Sequence, residues 1–270
     1  MLTDVRALIG CYLRIALAGF HRYATYRQAT VAGAATNIVF GLIRVGILAA
    51  VYTAQGGGSV GGYDLTTTVT YVWLGQGLLS IVEFWGGTEL TNRIRTGAVV
   101  VDLSRPWNPQ AALLAEDTGR AGFAALARLV PPVLFGMVVF PFRWPDNPWV
   151  PVLFLVSALL AMVVSFGARF LLSLTAFWLL DSRGVLGVYQ VVSSTLAGLE
   201  IPLGYFPGWA RTALWFTPFP AMLQSPIDVF VQHGSAVALL VHQVVWAVLL
   251  LSLGQLLLRS AVRKVVVQGG

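Results

Sequence analysis

Apolar residues run through the chain in long blocks, and polar residues gather in short groups between them. A helix needs roughly 20 apolar residues to cross a hydrocarbon core of about 30 Å. Six blocks meet that length, at approximately residues 33–54, 66–86, 121–141, 149–180, 185–205 and 234–258. The fourth is long enough to tilt or to extend past the bilayer. The pattern predicts an all-α, polytopic membrane protein with six transmembrane helices. No polar linker, low-complexity stretch or internal repeat divides it, so residues 1–270 read as one transmembrane domain.

Two segments depart from this pattern. In residues 1–30, Arg6, Arg14, Arg22 and Arg27 recur through apolar sequence. At about 100° per residue, Arg6, Arg14 and His21 share one side of a helix and Leu8, Tyr12 and Ile15 lie elsewhere. This predicts an amphipathic helix lying in the inner interface; the plainer alternative is a solvated helix before the first span. Ala16-Leu17-Ala18 imitates a signal-peptide cleavage site, but Arg14 interrupts the apolar core a leader needs, so the segment reads as retained.

In residues 202–233, Pro202, Pro207, Pro218, Pro220 and Pro226 break an otherwise apolar stretch. Proline removes a backbone donor and clashes with the preceding turn, which rules out one uninterrupted span. Irregular backbone survives at membrane depth only when buried in protein or facing water. Residues 206–233 are therefore expected as short re-entrant helices on the outer side. The alternative is a surface loop exposing Tyr205, Phe206, Trp209, Trp215 and Phe219, an unusually apolar patch.

Composition narrows the class. The chain is 57% hydrophobic and 10% charged, where soluble domains carry about a quarter charged residues. Its formal charge of +6 does not imply nucleic acid, because the basic residues are scattered between spans and do not form one aromatic-rich face. Their distribution does set an orientation. With the N-terminus inside, the inner segments hold Arg6, Arg14, Arg22, Arg27, Arg93, Arg95, Arg105, Arg120, Arg183, Arg259, Arg263 and Lys264, and the outer ones only Arg143 and Arg211. By the positive-inside rule, both termini are expected in the cytoplasm of a multi-pass protein of the cell membrane. Trp85 and Trp107 would mark the inner interface, and Tyr63, Trp144, Trp149, Trp209 and Trp215 the outer one.

Candidate chemistry is sparse. Cys11 is the sole cysteine, and no His, Cys and carboxylate cluster has metal-ligand spacing. No Ser-His-Asp set suggests hydrolysis. The only lysine, Lys264, is followed by Val265, so no phosphate-cradling loop is present and the chain is expected to bind no ATP itself. Within the spans, Arg44, Glu83, Arg128, Arg169 and Glu200 each need a partner or water. At 1.5 Å per residue, Arg44 and Arg169 stand roughly 16 Å from the inner ends of their helices. Glu83 falls near the inner face and Glu200 in the outer half, so neither matches an arginine in depth without a tilted helix or a reaching side chain. Arg128 and Glu83 are expected to snorkel to headgroups. Arg44, Arg169 and Glu200, with Gln190 and Gln243, are expected as buried polar groups or as lining of a path; His242 is expected as a helix-helix contact.

Two longer segments carry a resemblance. Residues 89–109 read ELTNRIRTGAVVVDLSRPWNP, and residues 196–226 read LAGLEIPLGYFPGWARTALWFTPFPAMLQSP. With the six-span layout, both resemble the type-2 ABC permease family, in particular its six-span, export-type subfamily. In the first, Glu89, Ile94, Arg95, Gly97, Asp102, Leu103, Arg105 and Pro106 carry the similarity. In the second it rests on Gly198, Ile201, Pro202, Leu203, Phe206, Pro207, Pro218, Phe219 and Pro226.

The resemblance implies a permease that pairs with an identical or related permease and docks on two ABC ATPase subunits, which hold the ATP and Mg²⁺. It implies that residues 87–120 form a cytoplasmic coupling loop acting through Glu89, Arg93, Arg95, Asp102, Arg105 and Pro106. A solvated loop is the plain alternative, and for Arg93 and Arg120 the two readings are balanced. It also implies an outer gate built from Pro202, Phe206, Pro207, Trp209, Pro218 and Phe219. The competing functions are a stand-alone secondary transporter or channel, which inverted repeats would favour, and a membrane scaffold, which would leave the mid-membrane arginines unexplained.

Overall fold

The computed structural model describes residues 2–85, 88–179 and 183–268, and every regular element in it is helical. Helix α1 (Leu2–Ala24) ends at a break before Tyr26, and α2 (Arg27–Ala54) follows. After a glycine-rich turn, α3 (Leu65–Val82) returns toward the start of α2. Short helices α4 (Thr88–Arg95) and α5 (Val99–Leu103) cap that end. Helix α6 (Pro109–Ala124) continues through a π-helical turn (Ala125–Leu129) into α7 (Val130–Val139). Helix α8 (Val150–Leu174) runs back, and α9 (Arg183–Leu196) starts upward again. Then come α10 (Gly208–Trp215), α11 (Phe219–Met222), α12 (Gln224–Val231) and the closing α13 (Ala236–Gln268).

Among the described residues, five stretches are long and apolar enough to cross a membrane: Arg27–Ala54, Leu65–Val82, Pro109–Val139, Val150–Phe177 and Ala236–Arg263. The expected span at 185–205 is instead the 14-residue α9, short of the roughly 20 residues a crossing needs. Its continuation is broken at Gly198, whose φ of +90° only glycine adopts readily.

The expected loop at 87–120 also ends early. Asn108 caps α6 by accepting a hydrogen bond from the Ala111 amide at 3.1 Å, and Pro109 occupies the first turn, where its missing donor costs nothing. The charges of Asp117 and Arg120 do not interrupt the helix because they neutralise one another within it. Farther on, Pro131 and Pro132 would clash with carbonyls one turn back; the widened π turn lies at that place.

Glycines let the helices close on one another. Trp73 of α3 is fully buried between Gly41 of α2 and Gly136 of α7, where any Cβ would overlap its indole. Helix α1 lies on α6 with Gly19 against the Glu116 carbonyl and Gly119 against the Ala16 carbonyl. The interfacial helix expected at residues 1–30 is thus seated on protein along one side, while Ile9, Leu13 and Leu17, spaced four apart, remain exposed on another. Small-residue contacts of this kind are how helices associate in lipid, where apolar burial supplies little drive.

Candidate functional site

The end of the bundle that carries α4 and α5 is rich in arginine, and a buried charge cluster lies just beneath it. Glu83 follows the last turn of α3 in the left-handed conformation, φ 55°. Its Oε2 accepts from Arg169 Nη1 of α8 at 2.9 Å and lies 3.0 Å from Arg120 Nε of α6. Asp117 takes Arg120 Nε at 2.6 Å on one oxygen and Arg169 Nη2 at 2.8 Å on the other. Arg120 also donates to the carbonyls of Ser80 and Ile81 at 2.7 and 2.9 Å, occupying acceptors left free at the end of α3.

Two cations and two anions therefore alternate in a ring that joins three helices, and their formal charges cancel. Glu83 therefore does not snorkel to headgroups as expected, and for Arg120, 5% exposed, neither of the two balanced readings, docking surface or solvated loop, holds. Asp117 was counted only as a charge of the expected loop; its spacing of three from Arg120 was the available signal for a pair. A cavity of about 330 Å³ opens beside the ring, with Tyr23, Trp85, Glu89, Glu116 and Phe166 among its walls.

At mid-height, Arg44 of α2 donates to Glu200 Oε2 at 2.7 Å and to the Leu199 carbonyl at 2.8 Å. The two side chains expected to differ in depth are in contact, because the chain after α9 folds back beside α2. Gln76 of α3, with its amide turned to satisfy both neighbours, accepts from Arg44 at 2.8 Å and donates to the Asn37 carbonyl at 3.2 Å. Arg44 is 15% exposed and Glu200 47%, so the pair opens to one face. Gln243 is fully buried and fully used, donating to the carbonyls of Ser157 and Ala221 and accepting from Ser157 Oγ at 2.7 Å. Gln190 is half-buried on α9. His242 stacks on Trp215 at 4.2 Å, as a helix contact.

At the opposite end, α11 and α12 are buried inside the bundle, packed on α8, α3 and α13. Their polar groups form a closed network. Asp228 accepts from Tyr63 Oη at 2.6 Å and Gln224 Nε2 at 2.8 Å, and Gln224 Oε1 accepts from Tyr71 Oη and the Leu203 amide. Tyr63, expected at the outer interface, is instead buried in this network; Tyr71, Gln224 and Asp228 were missed in the sequence because each is unremarkable alone and the partners lie up to 165 residues apart. Among the proline-segment residues, Pro202 is buried, Phe206, Pro218 and Phe219 are half-buried, and Pro207 and Trp209 are exposed.

The segment from residue 88 to 108 forms one compact unit. Arg93 Nη1 of α4 lies 3.3 Å from Asp102 Oδ2 of α5, with Gly97 (φ +76°) making the turn between them. Arg105 lies over the Trp107 ring at 5.0 Å. Glu89, Arg95, Arg105 and Pro106 are exposed, as are Val100 and Val101. Arg22 of α1 ties the unit to the bundle, bonded to Glu116 at 2.9 Å and to Glu89 at 3.4 Å.

The structure is a polytopic helical bundle with a compact charged unit at one end and buried short helices at the other. The model of the ABC-2 family transporter protein family matches residues 40–269. The chain belongs to that family. It is a membrane component of an ABC transporter and, as an ABC-2 permease, carries no catalytic activity of its own. The match starts within α2, so α1 lies outside it. No curated protein matches the chain.

Proposed function

We propose that this permease works as an exporter in the cell membrane, paired with a second identical or related permease and driven by two ATPase subunits that hold ATP and Mg²⁺. The observation that carries the reading is the α4–α5 unit. The Arg93–Asp102 pair holds it rigid, and it presents Val100 and Val101 beside Arg95 and Arg105. Apolar anchors with a charged rim suit a protein partner whose register must be fixed. Positive-inside asymmetry supports a cytoplasmic location for this end and for both termini.

The Arg44–Glu200 pair supports a translocation path along its face. A half-exposed carboxylate at mid-membrane is costly against lipid. A second permease or a water-filled path facing Glu200 removes that cost. At the outer end, α11 and α12 would form the re-entrant lining of a gate, with α10, its exposed Trp209 and the following Phe216 in the outer interface. In alternating access, a stroke on α4–α5 would pass through Arg22 to α1 and through the Glu83–Asp117–Arg120–Arg169 ring to α3, α6 and α8. Measuring ATP-dependent accessibility of cysteines at 200 and 209 in the reconstituted complex tests this reading. Changes at both positions support it, and nucleotide-insensitive labelling at both would refute it.

A further inference from the structure

Beside the charge ring lies a larger cavity of about 550 Å³, between the start of α2, the end of α3 and the π turn. Its wall includes Tyr26, Trp85 and Tyr23, which are 68%, 53% and 39% exposed. Exposed Tyr and Trp residues collect at headgroup level, which assigns the cavity mouth to that depth.

Arg128 reaches into this space from the π turn. Its Nη2 donates to the Ala29 carbonyl at 3.2 Å, and among the described residues no carboxylate pairs with it. Most of its N–H groups thus remain for another acceptor. Gly33 makes the room: a Cβ there would lie 2.9 Å from Arg128 Cζ. Glu83 also lines the cavity, but its carboxylate is held by Arg120 and Arg169. Arg128 is therefore the uncompensated charge in the cavity. Exposed Leu126 and Val130 flank it along the chain.

We propose that this cavity binds the phosphate of an anionic phospholipid headgroup from the adjoining leaflet, with Arg128 as the cationic ligand and the acyl chains lying along the apolar surface outside. A guanidinium matches phosphate oxygens in pairs. The cavity has room for a headgroup, and the aromatic mouth opens at the depth where headgroups lie.

Native mass spectrometry of the full chain, titrated separately with phosphatidylglycerol, phosphatidylcholine and inorganic phosphate, tests the assignment. Phosphatidylglycerol should be retained about tenfold better than phosphatidylcholine, whose choline cation offsets the phosphate charge and repels the Arg128 guanidinium, a difference on the scale of one charge-assisted contact. Arg128→Gln should abolish the preference, and Arg128→Lys should keep part of it. Arg211→Gln, at the opposite end, should leave it intact. If Arg128→Gln does not fold, Gly33→Val keeps the charge but fills the guanidinium's place and should also abolish the preference. Equal retention of the two lipids by the wild type, or an unchanged preference in Arg128→Gln, would overturn the site. Arg128-dependent binding of inorganic phosphate as tight as that of the lipid would overturn the lipid as its source.

Discussion

Arg169 of α8 and Glu83 at the end of α3 stand 86 residues apart in the chain and meet at 2.9 Å, with Asp117 as the further partner of Arg169 and Arg120 that of Glu83. The ring explains how a chain this apolar keeps four charges inside. Breaking such a cluster by removing one member leaves the others uncompensated, at a cost of about 3–5 kcal/mol. Arg169→Ala should therefore unfold several degrees below the wild type in a detergent thermal melt. Arg211→Ala, at an exposed site on α10, should not. Equal midpoints for Arg169→Ala and wild type would mean the ring is not holding the helices together.

A pH effect follows from Asp64, which caps α3 by accepting from the Thr67 amide at 2.6 Å. That backbone hydrogen bond holds the carboxyl below its usual range. The stabilisation is complete above the ordinary aspartate pKa and is lost as the pH falls through the lowered native value. Hydrogen-exchange protection of the first turn of α3 should weaken on acidification in the wild type. In Asp64→Asn, which caps without titrating, it should stay level over the same range. Parallel acid profiles for the two proteins would contradict this.

Much of the architecture was legible in the sequence, because membrane spans follow from local apolar length. Residues 33–54, 66–86, 149–180 and 234–258 all fall within or near helices with that length. The boundary at residue 120 was not legible, because Asp117 and Arg120 read as loop charges until their partners in α3 and α8 are known. The shortness of α9 was hidden for a related reason: Leu199 and Leu203, which extend the apolar run past Gly198, are buried by protein. Arg44 and Glu200 were found individually, but their contact depends on the fold-back after α9, which no spacing rule encodes. The networks around Asp228 and Arg169 are long-range by nature, so sequence supplied members without partners.

The α4–α5 unit should act in recognition and not in folding. Arg105→Ala and Asp102→Ala are expected to insert into the membrane at wild-type levels, since both residues lie outside the buried ring. Association with the ATPase, or the coupling of transport to hydrolysis, should weaken in each, Arg105→Ala through the exposed rim and Asp102→Ala through the lost pair with Arg93. Wild-type assembly and transport in both variants would mean the unit is only solvated.

At the other end, spin labels should separate a gate from a surface loop. A label at 227, where Ile227 is fully buried, should be shielded from both oxygen and water-soluble relaxants. One at 209 should show lipid-phase oxygen access, and one at 219 should change accessibility on nucleotide binding by the complex. Uniform water exposure at all three positions would contradict the proposed re-entrant arrangement.

The central claim is that this permease is driven by a separate ATPase through α4 and α5. The most direct test is to purify the chain with a candidate P-loop ATPase partner, reconstitute the complex in lipid, and introduce single cysteines at Val100 or Val101 for cross-linking. The account predicts a stable complex, ATP turnover that depends on the permease, and cross-links from both positions to the ATPase. Failure of the two chains to associate, or a complex whose cross-links avoid α4 and α5 altogether, would contradict it.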